Sequence, residues 1–161
     1  MSRTGTIDGL RFAAARETVK GVLGIGDLPR LAELGCSAAD VHYAVRGDAD
    51  GEPALTIEAH GEIELTCQRC LERFGFPVAV ASVLALAASP AEIDAAQDER
   101  DRVLASPAMD LAALIEDELI LAAPMIPMHA RCETGGARGT GLTETSPFAA
   151  LAGLKQIDAN S

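Results

Sequence analysis

Two thiols three positions apart are the sharpest chemistry in this chain, in Cys67-Gln68-Arg69-Cys70. A thiolate pair at this spacing can supply half of a tetrahedral zinc site. The other half needs two more soft or borderline donors. His129-Ala130-Arg131-Cys132 offers an imidazole and a thiol at i and i+3. Cys67, Cys70, His129 and Cys132 would together make a Cys3His set for zinc, provided the fold closes the long gap between Cys70 and His129. Two other readings stay open. In one, Cys67 packs in a sheet and Cys70 is a thiol without metal. In the other the pair is redox-active, although no strand-then-helix context follows it.

The second chemical feature is a carboxylate. Ile115-Glu116-Asp117-Glu118-Leu119 lies in a run of helical period. At about 100° per residue, Glu116 and Asp117 point away from an apolar stripe centred on Leu111, Ile115 and Ala122, while Glu118 falls inside it. A carboxylate within an apolar arc must be paired, hydrogen-bonded or neutral. An arginine from the sheet is the expected partner, Arg69 first. The alternative is that Glu118 reaches the helix edge and water.

Other motifs carry less. Gly135-Gly136-Ala137-Arg138-Gly139-Thr140-Gly141 lacks the Lys-Ser/Thr and the preceding strand of a phosphate loop, and reads as a linker. His42 and His60 sit in strand-like runs and read as surface histidines. No G-x-S-x-G or H-E-x-x-H occurs.

These residues must be positioned by the elements around them. Val19 to Ile25 reads as a strand. Leu28–Leu34 reads as a short helix, with Asp27 as cap, Pro29 in its first turn and Gly35 after its end. Val41, Tyr43 and Val45 alternate, as do Leu55, Ile57 and Ala59, then Ile63, Leu65 and Cys67, and finally Phe74, Phe76, Val78 and Val80. That is strand periodicity, with a turn over 47–53 and the Cys67–Cys70 pair at a hairpin tip. Pro90 to Ser106 reads as an exposed loop or short helix. Asp110–Ala122 reads as the main helix, capped by Asp110 and stopped by Pro124 and Pro127. Residues 133–146 read as a flexible linker, and 147–155 as a short C-terminal helix carrying Phe148, Leu151 and Leu154. The fold class expected is α+β: a curved antiparallel β-sheet, a partial barrel, packed with one main helix and short flanking helices.

Composition sets the outer limits. With 161 residues the chain is expected to be one domain. Aromatics are 3% of it, so the core is aliphatic and stacking platforms for bases are scarce. No signal peptide or membrane-length apolar run is seen, so a cytoplasmic protein without disulfides is expected. The formal charge is −11, which disfavours general binding to phosphate backbones and favours basic protein partners.

The chemical segments also resemble a known family. Thr66-Cys67-Gln68-Arg69-Cys70, then Asp110-Leu111 with Ile115 through Ala122, then Pro124, Pro127 and His129, and finally Ser146-Pro147-Phe148-Ala149-Ala150-Leu151 with Leu154-Lys155, are similar in order and spacing to the YceD family of large ribosomal RNA subunit accumulation proteins. The resemblance covers residues 66 to 155. It implies a non-catalytic role in synthesis, processing or stability of 23S rRNA and in large-subunit assembly. Some members carry a further C-x-x-C pair near Cys132, where this chain has His129 and Cys132.

Charge and resemblance together suggest two routes. The protein could escort a basic ribosomal protein or join the pre-ribosomal large subunit, meeting rRNA indirectly. Alternatively it is a direct RNA-binding module using a local patch such as Arg69 and Arg73. Gln68, Arg69, Arg73, Glu118 and Phe148 are the candidate binding residues. A metal-dependent nuclease is a third reading, and it needs an open metal position and a general base.

Overall fold

The computed structural model describes residues 5–132. Its elements run β1 (Thr6–Ile7), α1 (Gly9–Ala14), β2 (Thr18–Gly24), α2 (Pro29–Glu33), β3 (Ala39–Asp48), β4 (Ala54–Thr66), β5 (Arg73–Ala87), α3 (Pro90–Ala95), β6 (Arg102–Leu104), β7 (Met109–Asp110) and α4 (Leu111–Ala122). The α+β expectation holds. The sheet is mixed rather than purely antiparallel, in the order β2-β3-β4-β5-β6, with β5 and β6 running parallel. Arg102–Leu104 lies within a stretch expected to be loop or helix. It pairs with Ala85–Ala87 because the apolar run of β5 continues past Val83 and is buried there. A small second sheet pairs β1 with β7. The described strands leave β2 and β6 as edges, so this sheet is open rather than closed.

β4 and β5 form one long hairpin, paired from Ala54 with Ala85 to Thr66 with Arg73. The alternation read in the sequence decides which face is buried. Val41, Tyr43, Val45, Leu55, Ile57, Ala59, Ile63 and Leu65 all point inward. Phe12, Leu31, Leu111, Ile115 and Leu119 from the helices join the same cluster. Each such aliphatic side chain stabilises the fold by roughly 1.5–3 kcal/mol. Gly47 permits the close approach of α1: a Cβ there would stand 2.5 Å from the Phe12 carbonyl oxygen. The opposite face, with Lys20, His42, Arg46, Glu58 and His60, is exposed.

Helix ends follow their capping residues. Asp8 accepts from the Arg11 N–H at the start of α1, and Asp110 accepts from the Ala112 and Ala113 N–H groups at the start of α4. Asp27 does not cap α2 as expected. Its carboxylate accepts from the Gly24 N–H and closes the turn before the helix. Pro29 opens α2 instead, and no side chain of its own segment caps it. Arg102, with only 9% of its side chain exposed, ties β6 to Glu52 and Asp98. The expected linker and C-terminal helix lie outside the described residues, as does Phe148. No helix among the described residues is long and apolar enough to cross a membrane.

Candidate metal centre

The hairpin tip between β4 and β5 is built as a knuckle. Cys67 donates its N–H to the Glu72 carbonyl, and the Leu71 N–H donates to the Cys67 carbonyl, both at 2.9 Å. Two residues after Cys67, the Arg69 N–H lies 3.4 Å from the Cys67 sulfur. Leu71 completes the turn at φ +63°, a left-handed conformation that β-carbon sterics disfavour. This folds Cys70 back beside Cys67 instead of letting the strand run on.

The segment after α4 meets this tip. Pro124 and Pro127 stop the helix and extend the chain, and the Gln68 N–H donates to the Pro127 carbonyl at 2.9 Å. His129 then arrives at the cysteines. Its N–H lies 3.5 Å from the Cys67 sulfur, and its Nδ1 lies 3.3 Å from the Cys70 sulfur. Its ring packs against Phe74 of β5, with centroids 4.6 Å apart. Cys67 is fully buried, while Cys70, His129 and Cys132 are half-buried.

Cys67, Cys70, His129 and Cys132 each offer one ligand atom, and these four atoms lie within 4.8 Å of one another. A tetrahedral zinc ion with Zn–S near 2.3 Å and Zn–N near 2.0 Å separates its donors by roughly 3.5–4 Å. The donor types and their convergence therefore suit a metal ion such as zinc. Two backbone N–H groups, of Arg69 and His129, are aimed at the Cys67 sulfur. The long gap between Cys70 and His129 is closed by the hairpin and by α4, which packs against β5 and delivers its trailing segment to the tip.

The buried carboxylate is Glu116, not Glu118. Glu116 is 2% exposed, whereas Glu118 is half-buried at the edge of α4. The expected pairing of Glu118 with Arg69 is replaced by another. Glu116 accepts from the backbone N–H groups of Arg30 and Leu31 at 2.7 and 3.0 Å, and from Arg30 Nε at 3.0 Å. It thus supplies to α2 the N-terminal acceptor that the helix lacks in its own sequence. Arg30 also bonds Asp117 and the Ala113 carbonyl. Asp117 first, then Glu116, raises the pKa of the Arg30 guanidinium. Leu114 and Ala122 fall in the apolar stripe yet are not buried, and the buried side is turned from them toward Glu116, where α2 packs. Arg69 points elsewhere, with Nη2 3.9 Å from the Met128 sulfur.

The remaining candidates sit at the tip or along the hairpin. Gln68 and Arg69 are exposed on the knuckle, and Arg73 is exposed beside Glu64. The sequence reading missed an apolar rim around them. Leu71 is 73% exposed, Met125 fully exposed, Ile126 64% and Met128 49%. The signal was available: Met125 and Ile126 precede Pro127 and Met128 follows it, where the helical pattern has already ended.

The described residues combine a mixed-sheet α+β fold with a cysteine knuckle met by a His-Cys segment. The comparisons place the chain more narrowly. Residues 55–155, more than half of the chain, match the model of the family described as large ribosomal RNA subunit accumulation protein YceD, and the chain belongs to that family. That description names accumulation of an RNA and no reaction. Comparison with curated proteins and with solved structures returned no match.

Proposed function

We propose that the protein is a non-catalytic, cytoplasmic factor for large-subunit ribosome assembly. In this reading the Cys67, Cys70, His129 and Cys132 group holds zinc, and the surrounding rim docks a basic ribosomal protein or a pre-ribosomal particle. The observation that carries it is the rim itself. Leu71, Met125, Ile126 and Met128 are apolar and exposed on a chain of charge −11. Apolar residues anchor a partner and methionines adapt to its shape, while the acidic field attracts a basic one. Phosphate backbones meet the same field as repulsion, so rRNA is reached through the protein partner.

Zinc in this reading is structural. Four protein donors fill a tetrahedral shell and leave no position for an activated water, which withdraws support from the nuclease alternative. The metal instead fixes the segment after α4 to the hairpin tip and so holds the rim in shape.

The direct RNA-binding alternative draws on exposed Arg69 and Arg73 at the same tip. Affinity capture with the tagged full chain, with and without ribonuclease, separates the two. A basic large-subunit protein retained after ribonuclease supports the proposal. Recovery of large-subunit components only while the RNA is intact would replace it with the direct RNA module.

A further inference from the structure

The exposed face of the sheet carries a second set of donor atoms, unconnected with the cysteines. The β3–β4 register sets His42 directly opposite His60. Their rings stack, with centroids 5.7 Å apart and planes 15° from parallel. Both side chains are exposed, and they share a shallow cavity with Lys20, Tyr43 and Glu58. One step along the same face, Asp40 is opposite Glu62. The Asp40 carboxylate lies 3.8 Å from His42 Nε2. Glu62 is turned the other way, over Gly75, where a Cβ would stand 2.4 Å from its carboxyl carbon.

Two imidazoles thus face each other across the strands, with one carboxylate, that of Asp40, beside them. Opposed cross-strand side chains have Cβ atoms roughly 4.5–5.5 Å apart, so two imidazoles can each turn one ring nitrogen to a single ion. Imidazole with carboxylate is the donor set of first-row divalent ions such as Cu2+, Ni2+ and Zn2+. The strands hold the pair in place, so the second nitrogen binds at a high effective concentration.

We propose that His42 and His60 form a chelate site for a divalent transition-metal ion, with Asp40 as the carboxylate beside it. Its affinity follows the order Cu2+ above Ni2+ above Co2+, and the remaining coordination positions are water. Asp40 and His42 precede the stretch matched to the family, which begins at residue 55. Cys67 is seven positions beyond His60, about 20 Å along an extended strand, so the two sites load independently.

The test uses the full chain with one equivalent of zinc already supplied, and Ni2+ as probe. Calorimetric titration should show one Ni2+ event. Paramagnetic line broadening in the amide spectrum should centre on the middle of β3 and β4. His42→Gln and His60→Gln should each weaken Ni2+ binding by about 100-fold, the loss of one arm of a chelate. Asp40→Asn should weaken it by roughly 3- to 10-fold, as for a single supporting carboxylate. All three positions are exposed, so the variants should keep the wild-type amide spectrum. Undiminished Ni2+ binding in either histidine variant, or broadening centred on His129 and Cys70, would overturn the site. Unchanged affinity in Asp40→Asn would remove Asp40 from it.

Discussion

Glu116 and Cys67 are both buried, both carry chemistry and both lie in the family-matched stretch, yet they are used in opposite ways. The Glu116 oxygens are taken up by the backbone and side chain of α2, so its charge serves the fold. The Cys67 sulfur belongs to a candidate ligand group whose other three members are half-buried, in a region with exposed apolar residues. A charged residue with every acceptor satisfied inside the protein is architecture. A cluster of metal-type donors that converge on one point is suited to a metal ion. Burial alone does not tell the two apart; what surrounds the donor atoms does.

That contrast can be broken by mutation. Glu116→Ala should have the largest effect on stability. It removes the acceptor for two backbone N–H groups of α2 and one bond to Arg30, and should lower unfolding free energy by about 3 kcal/mol. Glu116→Gln keeps one oxygen acceptor and should lose roughly half as much. Denaturant midpoints at unchanged slope would measure both. A Glu116→Ala protein of wild-type stability but impaired partner binding would reverse the roles assigned to the two regions.

Leu71→Gly should act in the other direction. It relieves a left-handed residue at an exposed position and should leave stability within about 1 kcal/mol of wild type, on the stabilised side. It also removes an apolar side chain from the rim, so capture of the basic partner should weaken. Loss of stability with partner capture intact would contradict the account of the rim.

The smallest effect concerns Asp98. Arg102 first, then Arg100, hold its carboxyl well below the usual carboxylate range. A depressed folded pKa stabilises the fold above the unfolded pKa of about 4, and this contribution is lost as pH falls toward the folded value. Because the group is exposed, solvent screens the effect. Acid unfolding below about pH 4 should therefore be slightly less steep in Asp98→Asn than in wild type. An identical acid limb in the two proteins would remove this ion-pair cluster from the account of β6.

Much of this was legible in the sequence because it depends on local periodicity. The alternation through Val41, Tyr43 and Val45 and through Leu55, Ile57 and Ala59 gave the strands and their buried face. Asp110 and Pro124 gave the limits of α4. The ligand group was legible because its members are distinctive in type, although their meeting depends on a hairpin and a helix that only the tertiary fold aligns. Partners set by packing were not legible. Arg30 stands 86 positions from Glu116, and a helix rich in alanine and leucine on several sides offers no unique buried face. The parallel β6 and the brief β1 and β7 are too short for periodicity to register. His42 and His60 each read as an ordinary surface residue, and only the strand register made them a pair.

Metal content of the purified full chain tests the central claim most directly. The account predicts one zinc ion per chain by elemental analysis, absent from Cys67→Ser and Cys70→Ser, with the segment from Met125 to Cys132 exchanging its amide hydrogens faster in both variants. A chain that folds without metal and exchanges that segment no faster after chelation would contradict it.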